Sequence, residues 1–318
     1  PVTSYPQTFS GANVQVNGTY TPLVGNFGGD NRQDIFWYAP GSGPDTLWIS
    51  TAARGTFTKV SKPVSGTYLP VVGDFAGDGY DDILWYAPGT APDTLWVSVP
   101  GSGYFEGQPR TINGTFRPLA LDNSLAIPMA IAAASASTAR GSARGSGRVS
   151  AGPKDAIIWY APGAAPDVTW TFSNDGTSTY TNPIAISGSP ILVPFNSTCD
   201  PFEDFIAYQP GFGYDTIFVQ DTGTYIPTAI TVNGTYVPTA VGGGCNDPIL
   251  WHGPGAAPDA YWANHGDGTL ASAPVAAVTT TGPVIPQSYA GNAYLLDAAG
   301  ADRAFHDQLY APLDNQLL

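Results

Sequence analysis

Residues 34–48 read DIFWYAPGSGPDTLW, residues 82–96 read DILWYAPGTAPDTLW and residues 155–170 read DAIIWYAPGAAPDVTW. Weaker copies stand at 204–218 (DFIAYQPGFGYDTIF) and 247–262 (DPILWHGPGAAPDAYW), with a decayed sixth at 292–305 (NAYLLDAAGADRAF). The first five are each preceded by a short related segment: GTYTPLVGNF, GTYLPVVGDF, GTFRPLALD, GSPILVPFN and GTYVPTAVG. Their leading acids, Asp34, Asp82, Asp155, Asp204 and Asp247, are separated by 48, 73, 49 and 43 residues. Self-similarity at one fixed period is the signature of a repeat architecture.

The long step contains an insertion of about 25 residues between Asp122 and Asp155, and its composition is low-complexity Ala, Ser, Gly and Arg (ASASTARGSARGSGRVSAG). Without it the period returns to about 48, and six such periods fill the 318 residues. Each period reads as four short strands separated by Gly/Pro turns. In the first these are TPLVGNF, DIFWYAP, TLWIST and FTKVSKPVSG. Four strands recurring every 40 to 50 residues is the pattern of a β-propeller blade. The reading is therefore all-β: a single six-bladed propeller over 1–318, with the insertion at 123–152 in the third blade and a tail at 308–318. The N-terminal GANVQVNGTY resembles ITVNGTY at 230–236 and RTINGTF at 110–116, both read as fourth strands. Residues near 8–17 are accordingly expected to complete the last blade and close the ring, removing exposed sheet edges.

Composition agrees with this class. The 38 Gly and 30 Pro disfavour helices, and 12% aromatic residues supply a core that a disordered linker lacks. Only 11% of residues are charged, which excludes a coiled coil or an exposed helical array. The net charge of −14 repels phosphate backbones, so nucleic acid is not an expected partner. No apolar run reaches the length of a membrane span. The chain opens at Pro1 with its one Met at 129, which reads as a processed product or an excised domain.

The links between first and second strands are acidic. In DFAGDGYDD, Asp74, Asp78 and Asp82 occupy positions 1, 5 and 9; Asn26, Asp30 and Asp34 share those offsets in repeat one. Repeat four has Asn196, Thr198, Asp200 and Asp204 at positions 1, 3, 5 and 9. Oxygens at alternate positions of a tight turn can wrap Ca²⁺. On these residues, GDFAGDGYDDILWY (73–86) resembles the FG-GAP (VCBS-type) repeat of integrin α-subunit propellers and bacterial surface proteins. The resemblance implies Ca²⁺ ligands at positions 1, 3, 5, 7 and 9, with position 7 giving its carbonyl. Carried over, these are Asp74, Asp78, the carbonyl of Tyr80 and Asp82; Asn26, Asp30, the carbonyl of Arg32 and Asp34; and Asn196, Thr198, Asp200, the carbonyl of Phe202 and Asp204. Position 3 departs from the family pattern in two loops, being Ala76 and Gly28. In such loops a bound ion stiffens the turn; the alternative is that the acids cap Gly-rich turns.

The turn after the second strand repeats Tyr38, Tyr86, Tyr160 and Tyr208, then His252, each followed by Asp45, Asp93, Asp167, Asp215 or Asp259. On a propeller these form a ring of aromatics and carboxylates able to stack on sugars and bind hydroxyls; the alternative is that they fix the turns. Trp48, Trp96, Trp170 and Trp262, with Phe218 and Phe305, read as core between blades. Cys199 and Cys245 fall in equivalent loops of neighbouring blades and are candidates for one disulfide, as in an oxidising compartment. Arg140, Arg144 and Arg148 give the insertion a positive character suited to a mobile loop or to self-assembly. Asn17, Asn113, Asn196 and Asn233 begin Asn-x-Thr sequons, three of them in recurring NGT turns.

Nucleophile elbows, zinc-protease helices and phosphate loops are missing from the sequence. The reading is an extracellular, secreted or surface-displayed, non-catalytic propeller that binds a glycan or a protein and is stabilised by Ca²⁺. The alternatives are a carbohydrate-active enzyme, a glycoside hydrolase or polysaccharide lyase with a carboxylate or His252 site near the axis, and a structural subunit of an extracellular assembly.

Overall fold

The structure, a computed structural model, describes residues 15–306 except 31, 54, 124–153, 164–165, 174–178, 199, 201, 212, 222–223, 241–246, 266–268, 275–283, 290–291 and 298–302. Its regular elements are 23 β-strands, and the described residues include no helix. The chain divides into two compact units, Pro1–Thr115 and Phe116–Leu318.

The first unit holds two four-stranded antiparallel sheets, each in chain order. One is β1 (Thr21–Gly25), β2 (Asp34–Tyr38), β3 (Thr46–Ser50) and β4 (Phe57–Ser61); the other is β5 (Leu69–Gly73), β6 (Asp82–Tyr86), β7 (Asp93–Val99) and β8 (Tyr104–Arg110). The second unit holds three more. They are β9 (Arg117–Leu121), β10 (Ala156–Tyr160), β11 (Asp167–Phe172) and β12 (Thr179–Ile184); β13 (Ile191–Phe195), β14 (Asp204–Tyr208), β15 (Asp215–Asp221) and β16 (Thr224–Ile230); and β17 (Val237–Ala240), β18 (Ile249–His252), β19 (Ala260–Asn264) and β20 (Leu270–Pro274). A sixth sheet has three strands, β21 (Val284–Tyr289), β22 (Asn292–Asp297) and β23 (Arg303–His306). The sequence period is thus one sheet.

Within each unit the first strands lie side by side: β1 by β5, and β9, β13, β17 and β21 in succession. The sheets fan out from these strands and pack face to face. That is why the second strand is apolar on both sides: all five residues of β6, β10 and β14 are buried. Sheets one and two close over Phe36, Leu47, Ile83, Trp85 and Phe105, and sheets four and five over Val193, Ile206, Ile217, Ile249 and Trp251. A large apolar side chain so buried contributes about 1.5–3 kcal/mol.

Tryptophans of the second and third strands meet edge to face in four sheets: Trp37–Trp48 at 5.4 Å, Trp85–Trp96 at 5.3 Å, Trp159–Trp170 at 5.2 Å and Trp251–Trp262 at 5.0 Å. In the fourth sheet Ala207 stands in the place of Trp37, and Phe205 stacks on Phe218 at 4.6 Å instead. The expected core role of Trp48, Trp170 and Phe218 is what burial shows, while Trp96 and Trp262 are half-buried.

Two sequence expectations change. The NGT segments at 110–116 and 230–236 are not fourth strands; β8 and β16 end at Arg110 and Ile230, and the segments form the turn that follows. The sixth sheet has three strands among the described residues, and of the segment near 8–17 expected to complete it, 8–14 lie outside them. The insertion beyond Asn123, the tail at 308–318, Arg140, Arg144 and Arg148, and Cys199 and Cys245 also lie outside the described residues. No helix among the described residues is long and apolar enough to cross a membrane.

Candidate functional site

The Tyr–Asp pairs lie where the second strand turns into the third, and their polar atoms point inward. Asp45 accepts from the main-chain N–H of Ala39 at 2.6 Å and of Val64 at 2.7 Å. Asp93 does the same with Ala87 and Ile112, both at 2.8 Å, Asp167 with Ala161 (2.7 Å) and Ile186 (2.8 Å), and Asp215 with Gln209 and Val232, both at 2.7 Å. Each carboxylate therefore ties the exit of the second strand to the segment after the fourth.

The tyrosine hydroxyls make the matching tie one turn further on. Tyr38, Tyr86, Tyr160 and Tyr208 donate to the carbonyls of Gly66, Gly114, Gly188 and Gly234 at 2.9, 2.8, 2.5 and 2.8 Å. Tyr38 and Tyr208 also accept from the N–H of Tyr68 and Tyr236. Gly66 must be glycine: its φ is +133° and a Cβ would lie 2.7 Å from the Tyr68 ring. All four tyrosines and the five acids are buried, Tyr208 and Asp215 completely. Burial raises the Asp93 carboxyl above its ordinary pKa, against the pull of its two N–H donors, and raises Tyr38 and Tyr208 in the same way.

In the fifth sheet His252 replaces tyrosine. Its Nδ1 lies 2.9 Å from Asp259 Oδ1, which also accepts from Gly253 N–H at 2.8 Å; the imidazole is wholly buried. A group so enclosed does not meet a substrate in this arrangement. The side chains expected to line a sugar-binding ring thus act as internal fasteners in the five four-stranded sheets.

In the acidic loops, position 9 is also a fastener. Asp34 accepts from Ser50 N–H at 2.8 Å and Gly28 N–H at 2.5 Å; Asp82 accepts from Ser98 and Ala76, both at 2.9 Å; Asp204 accepts from Gln220 and Ser197, both at 2.8 Å. These three acids are fully buried and pin each loop to the third strand.

Strand register corrects two assignments. Asp34 pairs with Gly25, the last residue of β1; the residue opposite Leu121, the last of β9, is Ala156, so Asp155 precedes that position by one. Ile249 pairs with Ala240 as Ile35 pairs with Val24, which puts Pro248, not Asp247, in Asp34's place.

The acid one place earlier, position 8, was missed in sequence and has its own task. Asp81 accepts from Asn26 N–H at 2.6 Å, Glu203 from Asp122 N–H at 2.6 Å, and Asp247 from Asn196 N–H at 3.0 Å. Each links a loop to the start of the loop in the preceding sheet. The signal was present in the doubled acids Asp81–Asp82 and Glu203–Asp204: the second closes its own loop and the first holds the neighbouring sheet.

The fit of these loops to Ca²⁺ differs. In loop four, Asn196 Nδ2 donates to the carbonyls of Asp200 (2.9 Å) and Phe202 (3.2 Å), while Asp200 takes Thr198 O–H and Phe202 N–H; donors face the position-7 carbonyl a cation would need. In loop one Asp30 forms an ion pair with Arg32, and Asn26 Nδ2 donates to Gly79 O at 3.0 Å. Neither arrangement suits a cation.

Loop two gathers charge. Asp74 accepts from Asp78 N–H at 3.0 Å and Gly79 N–H at 2.7 Å, and Asp78 accepts from Tyr80 N–H at 3.2 Å. Desolvation, with the Asp78 carboxylate adding to it, pushes Asp74 up to about 6. Burial and the charges of Asp74 and Asp78 raise Asp82 well above the usual carboxylate range. No group of three or more His, Cys, Asp or Glu side chains among the described residues is arranged as a metal cage.

No known protein-family model matches this chain, and no curated protein matches it. Within the chain's own repeat, one turn departs from the shared pattern. At the turn after the second strand the repeats read APGSGPD, APGTAPD, APGAAPD and GPGAAPD, but the fourth reads QPGFGYD. Tyr214 takes the place of Pro44, Pro92, Pro166 and Pro258, and it is 95% exposed.

Proposed function

We propose that this chain is a non-catalytic recognition propeller displayed outside the cell, binding a glycan or a protein. In this reading the six sheets are the blades of one ring, residues near 8–17 supply the missing strand of the sixth, and the plan is that of the FG-GAP repeats it resembles. One observation carries the reading. The polar side chains common to the repeats are buried and bonded to main chain, whereas the fourth repeat places a fully exposed aromatic where the others keep proline. An aromatic ring with a hydroxyl suits the apolar face and hydroxyls of a sugar, or a protein surface. Architecture alone assigns no ligand; the inference rests on the residue that departs from it.

Loop two is where Ca²⁺ would act in this reading, because Asp74, Asp78 and Asp82 place like charges close together and a cation would relieve them. The test is a glycan array and a protein-binding screen on the intact chain and on Tyr214→Ala, with thermal unfolding in Ca²⁺ and in excess chelator. The expected result is binding by the intact chain, loss of binding in Tyr214→Ala at unchanged melting temperature, and a melting temperature that falls on chelation. Hydrolysis or elimination of a glycan on the array would overturn the non-catalytic reading.

A further inference from the structure

The outer strands of the five four-stranded sheets carry a difference that the packing does not require. In an antiparallel ladder alternate residues of an edge strand turn their N–H and C=O outward. Lys62 N–H donates to Asp45 O at 3.1 Å and Thr51 N–H to Thr56 O at 3.0 Å, which sets the phase of β4: Phe57, Lys59 and Ser61 face outward. By the same register, Pro109 of β8 (opposite Thr94), Pro183 of β12 (opposite Val168) and Pro274 of β20 (opposite Ala260) stand in Ser61's place. Pro227 of β16, opposite Phe218, stands in that of Lys59. Proline has no N–H to offer, so each of those four edges is blunted against pairing. Among these five strands, β4 alone keeps all its outward donors.

That edge carries a charge of its own. Thr58, Lys59 and Ser61 are exposed and Lys59 Nζ sits 3.9 Å over the Trp48 ring, on a chain whose net charge is −14, whereas Lys62 is half-buried with its Nζ turned 5.5 Å over the Tyr104 ring of β8. Antiparallel pairing of β4 with a second copy would bring like-charged lysines together, which is destabilising. An incoming strand bearing carboxylates meets attraction instead.

We infer that β4 is a docking edge that takes an extended acidic segment of a partner protein as a fifth, antiparallel strand. Main-chain bonds from Phe57, Lys59 and Ser61 would give the affinity, and Lys59 the choice of charge. The inference rests on the recognition reading above and names a protein as partner.

The probes are two decapeptides, (Thr-Glu)₅ and (Thr-Lys)₅, titrated into the intact chain and followed by amide exchange. The expected result is binding of (Thr-Glu)₅ alone, weakened by salt, with new protection at the amides of Phe57, Lys59 and Ser61. Ser61→Pro copies the native state of β8, β12 and β20 and should weaken binding about tenfold or more while the far-UV spectrum is unchanged. Lys59→Glu should reverse the preference to (Thr-Lys)₅ and decides the matter should Ser61→Pro fail to fold. Equal binding of both peptides, undiminished binding by Ser61→Pro, or no binding of (Thr-Glu)₅ overturns the proposal. A chain that binds glycans but neither peptide also overturns it and leaves the recognition reading standing.

Discussion

Replacing Asp93 by Asn separates an architectural carboxylate from a ligand-binding one. Both oxygens of Asp93 accept main-chain N–H groups, from Ala87 and Ile112 at 2.8 Å each, and the side chain is 1% exposed. Asn keeps the shape but presents one acceptor and one NH₂, so one buried N–H loses its partner and meets a donor. Losing a charge-assisted bond costs about 1.5–3 kcal/mol, and stranding the buried N–H brings about 1–3 kcal/mol more. The burial that raises the Asp93 pKa offsets part of this, because Asn avoids desolvating a charge. The expected net loss is about 2–4 kcal/mol, a fall in melting temperature of roughly 4–12 °C. Urea unfolding of the two proteins, analysed at equal m-value, measures it. A variant within 0.5 kcal/mol of the parent (on the order of the usual surface-substitution effect) would refute the reasoning. So would a variant of undiminished stability that had lost a ligand.

Further outcomes follow from the same geometry. Trp85, 2% exposed and edge-on to both Phe36 and Trp96, should cost about 3–5 kcal/mol on truncation to Ala, read from denaturant midpoints. Asp74 ionises near 6 in the folded chain against 3.8 ordinarily, so the folded state binds that proton more tightly. Its contribution is therefore complete below pH 4 and is lost as pH rises through 6, about 3 kcal/mol in all, and Asp74→Asn should flatten that part of the stability–pH curve. By the same sign, stabilisation by added Ca²⁺ should be larger at pH 7.5 than at pH 5; equal melting shifts at the two pH values would remove Asp74 from any cation site. Burial and the charges of Asp122, Asp247 and Asp155 raise Glu203 well above its usual range. Glu203→Gln keeps an acceptor for Asp122 N–H without the charge and should unfold at the same temperature or higher at pH 7, whereas Glu203→Ala should unfold lower.

The sheets were legible because apolar residues recur once per repeat of the sequence. DIFWY, DILWY and AIIWY are β2, β6 and β10, and TPLVG and FTKVS are β1 and β4. The acidic residues were harder to place. Matching acid to acid put Asp155 and Asp247 one position late, since strand register follows the apolar residues Ile157 and Ile249 and leaves Ala156 and Pro248 where Asp34 would be. The contacts of Asp81, Glu203 and Asp247 run to the preceding sheet, 55, 81 and 51 residues away, and no local pattern contains them. For Tyr38 and its counterparts the sequence allowed a binding ring or a turn fastener, and recurrence in every copy favoured the fastener; the hydrogen bond to a glycine carbonyl 26 or 28 residues later is what identifies it. The proline difference at the outer edges was likewise hidden until pairing showed which N–H groups face outward.

Amide hydrogen exchange across the intact chain tests most directly the claim that the recurring polar residues are scaffold and not site. The N–H groups of Val64, Ala87, Ile112, Ala161, Ile186, Gln209 and Val232, all bonded to buried carboxylates, should exchange only with global unfolding, as slowly as the second strands. Fast exchange at these amides in the free protein, slowed only when a glycan or partner is added, would contradict the account and return the Tyr–Asp pairs to the role of a binding site.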